Sequence, residues 1–123
     1  MNILVIDDNV ALCETLAMML DVMGHAPTVA LTGYAGIEAA KAIRPPLILL
    51  DLGLPDIGGY ETCRLLRALP ALADTTIVAQ SGNGEAEDLD QAKMAGFDTF
   101  IVKPVPFETL EKLVNSIAAK QGA

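Results

Sequence analysis

The sequence predicts an α/β fold: a doubly wound parallel sheet of five strands with five flanking helices. Two observations carry this. Short apolar runs alternate with longer segments whose apolar residues recur every three or four positions. Glycine, proline or a polar residue closes each segment in turn. With 123 residues, 52% of them hydrophobic, the chain has the material for one core, so residues 1–123 are expected to form a single domain.

Ile3–Ile6 reads as the first strand, apolar throughout as a strand covered on both faces must be. Leu12, Leu16, Met19, Leu20 and Met23 then share one helical face, and Gly24 stops the helix. Ala26–Ala30 is the second strand. Thr32 is placed to cap the next helix, striped by Ile37, Ala40 and Ile43. Arg44 precedes Pro45, and a residue before proline avoids helical geometry, so that helix ends there. Leu47–Leu50 is the most apolar run, the expected central strand, and it stops at Asp51. A turn, GLPDIGG, leads into a helix over Tyr60–Leu69. Thr75–Gln80 is the fourth strand and stops at Ser81. A helix over Glu85–Ala95 follows, with a thin stripe of Ala86, Leu89 and Ala92 beside Asp88, Asp90 and Gln91; Gly96 ends it. Thr99–Val102 is the fifth strand and stops at Lys103. Leu110, Leu113, Val114 and Ile117 stripe the last helix. Met18, Met19 and Met23 read as core filler, and His25 as a loop histidine.

The formal net charge of -8 argues against a nucleic-acid surface and leaves room for a cationic ligand. No apolar run approaches the roughly 18 residues of a membrane span, and the start lacks the basic segment of a secretory signal. The expectation is a soluble, cytoplasmic protein without a membrane partner. Cys13 and Cys63 read as small core residues, not a disulfide or metal pair.

In an open parallel sheet, ligands bind beyond the carboxyl ends of the strands, which share one edge. Asp7 and Asp8 follow the first strand, Asp51 the third, Ser81 the fourth and Lys103 the fifth. Taken singly, each has a bland reading: acids favour helix N-termini, and Lys–Pro or Ser–Gly can be plain turns. Pro55, Gly58 and Gly59 serve turn geometry under any function. At one edge, however, three carboxylates repel unless a cation sits among them. A hard divalent ion such as Mg2+ suits such oxygen ligands. An aspartate can also be a nucleophile that forms an aspartyl phosphate. Phosphoryl transfer needs little beyond positioning, a metal and donors to the phosphoryl oxygens, and Ser81 and Lys103 are such donors.

These marks, DD at Asp7–Asp8, DLGLPDIGG from Asp51, SG at Ser81–Gly82 and KP at Lys103–Pro104, resemble a response-regulator receiver domain of two-component signalling. The resemblance runs from Asn2 to Ala118. It implies a flavodoxin-like sheet of order 2-1-3-4-5. It implies that Asp51 takes a phosphoryl group from a phosphohistidine or a small phosphodonor. Asp8 and Asp51 would ligate Mg2+, with Asp7 acting largely through water and the Gly53 carbonyl completing the set. Lys103 and Ser81 would bind phosphoryl oxygens, helped by backbone N–H groups near Gly53 and Gly82. The Lys103–Pro104 bond is expected to be cis, and Phe100 to rotate inward as part of a switch with Ser81. The implied partner is a histidine kinase or a histidine phosphotransfer protein, the implied state a monomer or phosphorylation-linked dimer. The domain would not be a conventional enzyme, only assisting its own phosphorylation and dephosphorylation.

Some residues depart from the family pattern. Ser81 stands where many members have Thr, and Phe100 where Tyr is common. Gly53 leaves the crevice open, and Asn83 is placed to position a water. The segment FDTFIVKPVPFETL resembles receivers attached to hybrid kinases more than those joined to winged-helix domains. Other readings are a phosphorylation-independent docking module on the same fold, an aspartate-nucleophile phosphatase, and a flavin module. The phosphatase needs a second acid where Gly53 stands, and the flavin module a phosphate-cradling loop where Asp7 and Asp8 stand.

Overall fold

The computed structural model describes residues 1–82 and 89–122. In chain order the elements are β1 (Asn2–Ile6), α1 (Val10–Val22), β2 (Ala26–Ala30), α2 (Gly33–Ile43), β3 (Leu47–Asp51), α3 (Gly58–Arg67), a 3-10 turn (Pro70–Leu72), β4 (Thr76–Ser81), α4 (Leu89–Ala95), β5 (Thr99–Val102) and α5 (Phe107–Gly122). The strands form one parallel sheet in the order β2-β1-β3-β4-β5, as the resemblance implied.

The two-faced burial explains why the strands read as unbroken apolar runs. Leu4, Ile6, Ile48, Leu50, Ile77 and Ala79 point to one face and pack with Ile37 and Ala40 of α2 and Cys63 and Leu66 of α3. Ile3, Val5, Leu47, Leu49 and Val78 point to the other and pack with Leu16 and Leu20 of α1 and Leu110, Val114 and Ile117 of α5. Each fully buried Leu, Ile or Val among them contributes about 1.5–3 kcal/mol. The outer strands β2 and β5 are partly exposed, and Pro27 sits in β2, where an edge position tolerates its missing N–H.

Capping sets where the helices start. The Asn9 side chain accepts from Leu12 N at 3.1 Å to open α1, and Thr32 accepts from Ala35 N at 3.0 Å to open α2. The Asp56 carboxylate accepts from Gly33 N at 2.8 Å and Tyr34 N at 2.9 Å, tying the β3–α3 turn to the start of α2. At the other edge of the sheet, Arg67 of α3 is fully engaged. It donates to Gly96 O at 2.8 Å and Thr75 O at 2.7 Å, and meets Asp98 Oδ2 at 2.6 Å.

Several local expectations shift. Asp51 and Ser81 are the last paired residues of their strands, not the residues after them. Helix α3 starts at Gly58 and stops at Arg67, because Leu69 must adopt extended geometry before Pro70. Met18 is 69% exposed and so is not core filler, whereas Met19 and Met23 pack against the α1/α5 cluster. Cys13 and Cys63 are buried free thiols on opposite faces of the sheet. The expectations for a helix start at Glu85, for Ala86 and Asp88, for the Leu89 side chain and for Asn83 lie outside the described residues.

Candidate functional site

Pairing at the carboxyl edge of the sheet assembles the site. Asp7 extends β1 by one residue, its N–H donating to Ala30 O at 3.0 Å. Asp51 closes β3, and strand alternation puts both side chains on the α1/α5 face. Lys103 follows β5, its N–H donating to Ser81 O at 2.8 Å. Its Nζ lies 2.7 Å from Asp51 Oδ1 and 2.8 Å from Asp7 Oδ2. The contact to Asp51 is a true hydrogen bond; the one to Asp7 is an ion pair without hydrogen-bond alignment. Asp7 is fully buried, its Oδ1 accepting from Asn9 N at 2.9 Å. The Cys13 thiol donates to the Asp7 backbone carbonyl at 3.3 Å, pinning α1 under the site.

Gly59 makes room for this arrangement. A Cβ there would collide with the Asp51 backbone carbonyl, so only glycine lets α3 start against the end of β3.

The charges do not balance. Asp7, Asp8 and Asp51 offer oxygens that all lie within 4.8 Å of one another, facing the single ammonium of Lys103. Burial pushes the Asp51 carboxyl above its usual range; Lys103 pulls it back, but Asp7 pushes it up again and the net shift is upward. Burial alone would pull Lys103 down, yet its contacts with Asp51 and Asp7 outweigh that and its pKa is raised. Two buried carboxylates, one exposed one and an Asp7 oxygen with no aligned donor suit a hard divalent cation. The residues therefore fit Mg2+.

The other expected site residues lie around this cluster, and the side chains of Ser81 and Phe100 face away from it. Ser81 is buried and its hydroxyl has no hydrogen-bond partner among the described residues. Strand alternation puts it on the opposite face, with Ala79 and Phe100. Gly53 is exposed, and its N–H helps hold the Asp51 carboxyl down. Gly82 is half-buried just past β4. The Lys103–Pro104 bond is cis. Phe100 is half-buried and lines a cavity of about 140 Å3 with Ala92, Lys93, Phe97, Asp98 and Thr99.

Gln80 was missed. It is fully buried, and neither atom of its amide has a hydrogen-bond partner among the described residues. Leaving such a group unsatisfied costs about 1–3 kcal/mol. The signal was present: a lone amide directly after the apolar IVA of the fourth strand, one residue before Ser81.

A family model described as the response regulator receiver domain matches residues 3–115. The DNA-binding dual master transcriptional regulator RpaA of Synechocystis is 30% identical over 116 residues, 94% of this chain and 48% of that protein. The signal transduction histidine-protein kinase BarA of Escherichia coli is 28% identical over 114 residues, 93% of this chain and 12% of that kinase. The chain thus spans about half the length of the first and a small part of the second. Among solved structures, the receiver domain of sensor histidine kinase PA1611 from Pseudomonas aeruginosa superposes with a TM-score of 0.86 at 26% identity, covering 95% of this chain and 97% of that one; it carries a magnesium ion coordinated in its active-site cleft. The Vibrio cholerae chemotaxis protein CheY4 gives 0.88 at 23% identity, covering 94% and 97%, a likeness of fold.

Proposed function

The chain belongs to the response-regulator receiver family, and from that premise we propose that Asp51 accepts a phosphoryl group and that the chain, read as one receiver domain over residues 1–123, relays that state by protein contact. The observation that carries the reading is one ammonium held between two buried carboxylates, 2.7 Å from Asp51 and 2.8 Å from Asp7, with Asp8 in the same ligand cluster.

Asp7, Asp8, Asp51 and the Gly53 carbonyl would hold Mg2+, which supplies positive charge against the crowded phosphoryl oxygens. An Asp51 carboxylate oxygen attacks phosphorus of a phosphohistidine. The new O–P bond forms as the P–N bond breaks, and the imidazole nitrogen keeps that electron pair and takes up a proton. Lys103 already touches the attacking group and is positioned to pass to a phosphoryl oxygen. The Ser81 hydroxyl, without a partner among the described residues, supplies a second donor by crossing toward the new charge. Its departure frees space on the Phe100 face, and the cavity beside Phe100 gives that ring somewhere to turn. The surface of α4, β5 and α5 then differs between the two states. The phosphodonor would be a histidine kinase or a histidine phosphotransfer protein in the cytoplasm. No helix among the described residues is long and apolar enough to cross a membrane. The chain would turn over no substrate beyond its own phosphoryl group.

Beryllofluoride titration with Mg2+, followed by amide NMR, tests this. Wild type is expected to shift around Asp51, Ser81 and α4, and Asp51→Asn is not. Equal shifts in both, or none in wild type, would leave phosphorylation-independent docking as the better reading.

A further inference from the structure

Register puts Gln80 beside the phosphoacceptor. Asp51 pairs with Gln80, and Gln80 with Ile101, across β3, β4 and β5. Ile6 pairs with Leu50, so Asp7 and Asp51 continue the same row across β1. Asp7, Asp51 and Gln80 therefore stand side by side on the α1/α5 face, and adjacent strands are about 4.8 Å apart. On its other side Gln80 has the apolar Ile101, and beneath it on the same face lies the buried Val78. The amide is fully buried, and both its nitrogen and its oxygen lack a hydrogen-bond partner among the described residues. A buried donor set one strand from a reacting carboxylate, and unspent in the resting state, is placed to act when the charges move.

Resting on the reading of Asp51 as phosphoacceptor, we infer that Gln80 is a positioning residue that shortens the life of the aspartyl phosphate. In the resting state Lys103 serves Asp51. Once Lys103 moves to the phosphoryl group, the free carboxylate oxygen of Asp51 gains the Gln80 Nε2–H as donor. In hydrolysis, water attacks phosphorus, the bond from phosphorus to the Asp51 oxygen breaks, and its electron pair returns to the carboxylate. Inorganic phosphate leaves with the water oxygen, and the surplus proton passes to solvent or phosphate. Negative charge thus develops on the Asp51 carboxylate during the step. A donor aimed at that carboxylate stabilises the transition state more than the neutral acyl phosphate.

The experiment uses the full chain, labelled with acetyl phosphate and Mg2+ and then freed of donor. Gln80→Met keeps the volume and removes the amide. It is expected to fold with an unchanged or higher melting temperature and to lengthen the phosphoryl lifetime about tenfold, less than the loss of a donor from a full oxyanion hole produces. A merely structural role for Gln80 would not lengthen the lifetime. The second readout needs no variant: in wild type the Gln80 side-chain amide pair, assigned through its own backbone, is expected to shift on addition of beryllofluoride and Mg2+. An unchanged or shorter lifetime in Gln80→Met, or a stationary amide pair in wild type, overturns the inference. If wild type takes no label at all, the phosphoacceptor reading falls and this inference with it; label in wild type with an unchanged Gln80→Met lifetime removes the inference alone.

Discussion

Two cationic side chains anchor opposite edges of the same sheet, and they are treated differently. Arg67 has its guanidinium spread over the Gly96, Thr75 and Leu72 carbonyls and the Asp98 carboxylate, and Asp98 in turn accepts from Ile77 N at 2.8 Å. One positive charge meets one negative charge, and the fork geometry fills its donors. Lys103 faces two buried carboxylates with a third nearby, beside groups that lack an aligned partner among the described residues: an Asp7 oxygen, the Ser81 hydroxyl and the Gln80 amide. Buried polar groups in folded chains are nearly always satisfied, so a cluster of exceptions at one edge is the feature that the proposed function draws on. Among the described residues, then, the Arg67 edge is satisfied and the carboxyl edge is not.

The sharpest way to break the contrast is Lys103→Met. Removing the one cation leaves Asp7 and Asp51 buried together without compensation. In chelator, the expected loss is about 3 kcal/mol, the lower end for breaking a buried pair because Lys103 is partly exposed. Urea melts measure it. Added Mg2+ is expected to restore more stability to the variant than it adds to wild type, because the ion replaces the missing charge. A loss of the same size with and without Mg2+ would show that Lys103 matters only for packing.

Arg67→Met is expected to cost about 2 kcal/mol, since it orphans acceptors that the guanidinium had satisfied. Here Mg2+ should restore nothing. Arg67→Lys should recover little, because an ammonium cannot reach the Gly96, Thr75 and Asp98 groups together. If Mg2+ rescued Arg67→Met as it rescues Lys103→Met, the two edges would not be separate devices.

The same contrast explains what was legible in the sequence. Asp7, Asp51 and Lys103 were legible because strand ends of a parallel sheet share one edge, so the charges could be placed together before any contact was known. Thr32 as a helix cap followed from chemistry local to a few residues. The Arg67–Asp98 pair was not legible. It spans 31 positions and depends on how α3 lies against the entry to β5, which no periodicity encodes. Asp56 was read as part of a turn because its partners, Gly33 and Tyr34, lie on another helix. Met18 misled because its neighbours in sequence are apolar, while its own helix face points to water. Gln80 shows a different limit. The strand assignment was sound, and the sound pattern hid a buried amide that did not fit it.

The smallest expected effect belongs to Asp51→Asn, and its sign is opposite. Burial and the Asp7 charge raise the Asp51 pKa on folding from 3.8, even after the attraction of Lys103 is counted. The folded state therefore holds this proton more tightly than the unfolded chain does. As pH rises from 3.8 through the raised folded value, the folded state carries the extra proton and stability falls; above that window the loss is complete. Asn has no proton to lose. In chelator at pH 7 the variant should therefore be more stable than wild type by on the order of 1 kcal/mol. The difference should shrink toward zero as pH falls below 3.8. With Mg2+ at pH 7 the order should reverse, because only wild type keeps all three carboxylates for the ion. Urea melts at both pH values, with and without the ion, give the four numbers. A wild type more stable than Asp51→Asn in chelator would mean that Lys103 more than compensates its acids, and the carboxyl edge would then be as well satisfied as the Arg67 edge.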